Sequence, residues 1–179
     1  GGTGMVCYEF KGGTGTSSRK LSENFGGWTV GALVQSNFGR RHQFTLAGVP
    51  VGKHLRDGML WPVSEDPFAK ESGSLIVIIA TDAPLLPHQL KRLAKRAALG
   101  MARTGSMGGN GSGDIFLAFS TANVNAAHGD EKGISNIQTL SNDHLDPLLA
   151  SSALATEEAI INSMVAAETM TGNKDVNVL

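Results

Sequence analysis

The chain has 179 residues, a formal net charge of −1, 41% hydrophobic residues and a single cysteine, Cys7. That length suits one domain with a real core, since a domain near this size buries roughly 70% of the surface its unfolded chain exposes. Near-neutral charge argues against a nucleic-acid or membrane-surface role driven by bulk charge, and one cysteine excludes an internal disulfide.

Taken in chain order, Met5–Phe10 reads as a short strand in which Cys7 is a buried bystander rather than a nucleophile. Lys11–Arg19 reads as a glycine, threonine and serine loop, Trp28–Ser36 as a second strand and Phe44–Val51 as a third. Lys53–Ser72 contains Pro62 and Pro67 and shows little periodicity, so it is expected to be an exposed, mobile connection. The run Leu75–Ala80 is continuously apolar, as expected of a strand covered on both faces, and is far too short to span a membrane. Leu90, Leu93, Ala94, Ala97, Ala98 and Met101 recur at helical spacing, with Lys91, Arg92, Lys95 and Arg96 opposite, which predicts an amphipathic helix with a solvated basic face. Ile115–Ser120 reads as another strand. Ser151–Met170 reads as a second helix, with Ile160, Ile161, Met164 and Val165 on its apolar side. Strands interleaved with long helices indicate a layered α/β domain.

The chemistry begins at Gly73-Ser74, directly before the apolar run. If that bond were cut, Ser74 would become a new amino terminus, a nucleophile carrying its own base. A serine hydroxyl alone is a poor nucleophile, whereas an α-amine has a reference pKa of about 7.7 to 8.0. Glycine before it lacks a Cβ and lets the hydroxyl reach the preceding carbonyl for an N-to-O acyl shift. The plain alternative is a turn leading into a strand. Ser112 and Asp114 lie in Gly109-Asn110-Gly111-Ser112-Gly113-Asp114, before the strand Ile115–Ser120. In an extended segment their side chains point the same way, with room left by Gly113, although an ordinary glycine-rich turn is the plainer reading of these residues alone. The glycine runs Gly1–Gly4 and Gly12–Gly15 lack Walker or dinucleotide spacing, so close approach of backbone to substrate is the better account. The five histidines show no metal-ligand spacing, and neither a metal nor another cofactor is expected.

Five stretches, Gly1–Arg19, Val30–Gly39, Gly73–Ser106, Gly109–Asn123 and Ala155–Gly172, resemble in order the DmpA-type aminopeptidases, which include the β-peptidyl aminopeptidases. The resemblance implies an α-β-β-α sandwich of the DmpA and ornithine-acetyltransferase type. It also implies self-cleavage between Gly73 and Ser74, with 1–73 ending an α-chain and 74–179 forming a β-chain of one hydrolase domain. The expected activity is release of N-terminal residues from short peptides, amides or esters through a Ser74 acyl-enzyme. Ser112 and Asp114 would orient the Ser74 amine and hydroxyl. Asn37 would donate to the oxyanion and Tyr8 its phenol to the site; their plain readings are a turn asparagine and a strand tyrosine. A carboxylate upstream of the Gly1–Met5 stretch would bind the substrate ammonium, and the assembly would be a homotetramer. The chain is accordingly expected to be a fragment lacking an amino-terminal part, itself inactive, and its tail after Gly172 fits the family poorly. A cytoplasmic location is expected, with the periplasm left open because an upstream leader would not be seen here. Two other readings remain: an acyltransferase of the ornithine-acetyltransferase architecture, which uses threonine at the cut, and an uncleaved, noncatalytic binding or assembly subunit.

Overall fold

The computed structural model describes residues 2–61, 73–172 and 177–179. Its elements are β1 (Val6–Cys7), β2 (Phe10–Lys11), β3 (Gly13–Lys20), β4 (Thr29–Asn37), β5 (Ser74–Thr81), α1 (Pro87–Arg103), β6 (Ile115–Ser120), α2 (Asp146–Val165), β7 (Met170–Thr171) and β8 (Asn177–Val178). Strands β3-β4-β5-β6 form one sheet in that order, with β3, β4 and β5 antiparallel and β5 parallel to β6. Helix α1 makes the β5-to-β6 crossover that a parallel pair requires.

Both helices lie on one face of this sheet. Val30, Ala32 and Val34 from β4 and Leu75, Val77 and Ile79 from β5 point into that interface. They meet Leu93 and Ala97 of α1 and Leu148, Ala155, Ala159 and Ile160 of α2, all buried. The other face of the sheet stays open: Leu33 of β4, Ile76 of β5 and Ile115, Leu117 and Phe119 of β6 are each at least 40% exposed. The expectation that Leu75–Ala80 is covered on both faces is therefore corrected. Among the described residues only one face of β5 has a layer against it, which gives the alternating burial of its side chains.

Other departures have local causes. The expected loop Lys11–Arg19 is mostly strand β3, because its inward positions are glycine instead of aliphatic. A methyl group at Gly15 would overlap the Ala159 carbonyl of α2, so this glycine of the second run serves close helix packing. The expected strand Phe44–Val51 is a tight turn in which Leu46 and Val49 exchange two backbone hydrogen bonds around Ala47 and Gly48, both at positive φ. The second helix starts earlier than expected, with Pro147 in its first turn, where proline is pre-organised for helix, and it ends at Val165. Val165 itself is exposed, whereas Ile160 is fully buried. Of the expected connection Lys53–Ser72, residues 62–72 lie outside the described residues.

Met5–Phe10 is not one strand but the two-residue hairpin of β1 and β2, with register Val6↔Lys11 and Cys7↔Phe10. Its turn residues Tyr8 (φ 50°) and Glu9 (φ 65°) are both left-handed, a conformation that costs roughly 1–2 kcal/mol per L-residue. Arg41 holds the turn. Its fully buried guanidinium donates to the carbonyls of Tyr8 (2.9 Å), Glu9 (2.9 Å), Leu55 (2.8 Å) and Asp57 (3.0 Å) and lies over the Phe10 ring. The Glu9 carboxylate in turn accepts from the backbone N–H groups of Arg41 and Leu60. Burial lowers the pKa of Arg41, and the Glu9 charge opposes that shift.

Candidate active site

Ser74 is the first residue of β5, and the strand pattern decides where its side chain goes. Leu75 points into the helix interface, so Ser74 points to the open face of the sheet. Directly opposite it on β4 stands Asn37, at the roughly 4.5–5.5 Å Cα spacing of an antiparallel pair, so both side chains share that face. Asn37 Oδ1 accepts the Val6 N–H at 3.0 Å, which orients the amide and leaves its NH2 as the donor end.

Gly73 sits at φ 145°, and a Cβ there would overlap the Asn37 carbonyl, so only glycine fits beside this strand end. On its other side Gly73 bridges Ser112 in parallel fashion. That bridge brings the Gly109–Asp114 stretch to the nucleophile. Asp114 Oδ1 accepts the Leu75 N–H at 2.7 Å, and the Gly113 N–H donates to Ser74 Oγ at 3.0 Å. Ser112 and Asp114 are both half-buried. The structure thus gathers Gly73, Ser74, Asn37, Ser112 and Asp114 at one end of β5.

Tyr8 stands apart. It is fully buried and ringed by Phe38 and Phe44, and its hydroxyl lies 2.7 Å from Thr104 Oγ1. The Thr104 hydroxyl proton goes to the Met101 carbonyl, so the Tyr8 proton goes to Thr104 rather than to the reacting end of β5. That bond ties the β1–β2 turn to the end of α1. Cys7 is fully buried, and burial pushes its thiol far above the ordinary range, against a smaller opposing effect of Ser36. A thiol held protonated in this way is not a nucleophile.

The model of Peptidase family S58 matches residues 1–178. The chain belongs to this family. The beta-peptidyl aminopeptidase BapA of Sphingosinicella microcystinivorans is 51% identical, over 96% of this chain and 45% of that protein. The BapA of Sphingosinicella xenopeptidilytica is 45% identical, over 99% and 46%. Among solved structures, the L-aminopeptidase D-Ala-esterase/amidase from Ochrobactrum anthropi, described as a variant of the Ntn hydrolase fold, superposes with a TM-score of 0.82 at 46% identity. It is matched over 99% of this chain and 47% of that one. The S58 chain described here therefore spans about half the length of the relatives it matches, and its fold is theirs.

Two features of this S58 site escape a reading of residue types. The Gly113 contact to Ser74 is a backbone N–H, which no side-chain pattern announces. A cavity of about 270 Å³ adjoins Asn37, lined also by Gly4, Val6, Phe38, Gly39, Arg40 and Trp61.

Proposed function

We propose that the protein bearing this chain is a self-cleaving serine aminopeptidase that releases N-terminal residues from short peptides, amides or esters. The observation that carries the reading is the placement of Ser74. Its hydroxyl has a glycine carbonyl directly before it, an asparagine amide opposite and a backbone N–H on Oγ.

In maturation, Ser74 Oγ attacks the Gly73 carbonyl, the Gly73–Ser74 C–N bond breaks, and an ester forms. Water hydrolyses that ester, leaving a Gly73 carboxylate and a free Ser74 amine. In turnover the amine accepts the Oγ proton as Oγ attacks the substrate carbonyl, and Asn37 donates to the oxyanion. The proton then goes to the leaving amine, and water releases the acyl group. Asp114, fixed on the Leu75 N–H, lies within reach of the new amine and favours its orientation; Ser112 lines the same end of the strand.

The names of the relatives include both β-peptidyl and L-aminopeptidase activities. Turnover of β-alanyl and alanyl amides by the full-length protein distinguishes these specificities. Assembly as a homotetramer accompanies the reading and is tested by light scattering. The primary test is intact-mass spectrometry of the full-length protein beside Ser74→Ala. Two chains in the parent, the second starting at Ser74, and one in the variant are expected. One uncut chain in both removes the amine the mechanism needs and favours a noncatalytic subunit.

A further inference from the structure

Lys11 is a buried charge that the proposed chemistry does not use. It closes strand β2 and is only 5% exposed, and lysine is almost never buried without partners. Among the described residues those partners are carbonyls: Nζ donates to Gly12 (2.8 Å), Met5 (3.1 Å) and Gly2 (3.1 Å). Three acceptors take all three ammonium protons, so the side chain keeps its charge and binds backbone rather than a ligand. The Met5 carbonyl is the informative acceptor. It also accepts the Gly12 N–H at 3.0 Å, and its peptide continues into the Val6 N–H, which donates to Asn37 Oδ1 at 3.0 Å. One peptide group therefore lies between the Lys11 ammonium and the amide that stands opposite Ser74. Gly12 seats the same unit on β4, since a Cβ there would overlap the Ser36 carbonyl, one residue before Asn37.

We propose that Lys11 is a positioning residue for the oxyanion donor: through the Met5–Val6 peptide it fixes and polarises the side-chain amide of Asn37. The proposal rests on the assignment of Asn37 to the oxyanion in the reading above. A cation at a carbonyl draws electron density from the nitrogen of the same peptide, so the Val6 N–H becomes a stronger donor. That N–H draws in turn on Asn37 Oδ1, and the NH2 at the other end of the amide becomes a stronger donor towards developing negative charge. The geometric effect is simpler. An asparagine amide turns readily about its last torsion, whereas one held at Oδ1 presents its NH2 in one direction. Lys11 pins the peptide that does the holding, and with it the carbonyl of Gly2.

The test uses the full-length, self-cleaved protein turning over an alanyl amide. Lys11→Met keeps the length of the side chain and removes the ammonium, and Lys11→Gln keeps N–H donors without the charge. Lys11→Met is expected to lose roughly tenfold in kcat with KM little changed, less than the roughly 10²–10³ that deleting an oxyanion donor costs. Lys11→Gln is expected to lie between it and the wild type. Affinity for the boronic-acid analogue of alanine, whose adduct with Ser74 is tetrahedral and negatively charged, falls by the same factor as kcat. In an Asn37→Ala background Lys11→Met is expected to change kcat by less than about twofold, because the group it acts through is gone; a merely structural lysine costs the same factor in both backgrounds. An unchanged kcat in self-cleaved Lys11→Met, or an undiminished cost beside Asn37→Ala, overturns the proposal. Urea unfolding in the Ser74→Ala background reports whether the Lys11 variants fold. Failure of both makes Lys11 a folding residue, and a variant that folds but stays uncut places it in maturation rather than turnover; either result overturns the proposal too. An unchanged kcat in Asn37→Ala refutes the oxyanion assignment instead, and no hydrolysis by self-cleaved wild type refutes the aminopeptidase reading itself.

Discussion

Asp114→Asn isolates the charge of the carboxylate from its hydrogen bond. Asparagine keeps an oxygen for the Leu75 N–H, which Asp114 Oδ1 now accepts at 2.7 Å. The amine freed by cleavage is the backbone nitrogen of Ser74, one residue before that N–H, so it lies within about 6 Å of the carboxylate. At that distance the attraction between unit charges is about 0.7 kcal/mol with the dielectric of water and about 3 kcal/mol at an effective dielectric of 20. Asp114 is half-buried at an open strand end, so the lower figure is the better guide, about half a pKa unit. The sign follows directly. A carboxylate favours the ammonium and raises the amine pKa; its removal lowers that pKa, and the neutral amine that acts as base then persists to lower pH. The acid limb of kcat/KM against pH is expected to move down by about half a unit or more in Asp114→Asn, and less at high salt. An acid limb that stays in place or moves up refutes the assignment of Asp114 to the amine.

Gly73→Ala is expected to leave the precursor uncut, since a methyl at φ 145° would overlap the Asn37 carbonyl and push the scissile carbonyl away from Oγ; intact mass after prolonged incubation reads this directly. Arg41→Met takes the cation from four carbonyls and from Glu9 while keeping much of the side-chain volume. It is expected to lower unfolding stability by several kcal/mol, at about 1–3 kcal/mol for each carbonyl left buried without its donor. Urea unfolding on a Ser74→Ala background measures this, and a loss below about 1 kcal/mol would show that water replaces the guanidinium.

Helical apolar spacing made α1 legible and runs of apolar residues made β4, β5 and β6 legible, because the faces these elements turn to one another are built of aliphatic and aromatic side chains. Strand β3 was hidden by the same logic: its inward Gly13 and Gly15 let α2 come close, and glycine leaves no apolar signal. The β1–β2 hairpin was hidden because Tyr8-Glu9 is not turn chemistry; a distant arginine, Arg41, imposes the left-handed pair. At the site, Ser74, Ser112 and Asp114 could be found from Gly-Ser before a strand and from a glycine-rich approach to the next. A strand tyrosine gives no sign in the sequence of the depth at which Tyr8 lies. Its burial comes from the aromatic cluster with Phe38 and Phe44, which only the folded chain brings together.

The open face of the sheet joins fold and chemistry. Leu33, Ile76, Ile115, Leu117 and Phe119 form a neighbouring group of exposed apolar side chains across β4, β5 and β6, larger than isolated surface residues would give. This is why Leu75–Ala80 reads as a strand made for two covered faces, although only the inward set is buried among the described residues. The α-β-β-α layering that the resemblance implies would set a second sheet against that face, and the chain spans about half the length of its relatives. Ser74 and Asn37 point to the same side, at one end of this apolar group. A layer set against Ile76 and Leu117 would therefore also wall the nucleophile. Covering that face would also remove bulk water from the Ser74 hydroxyl, and so would strengthen the hydrogen bond that the Gly113 N–H donates to it.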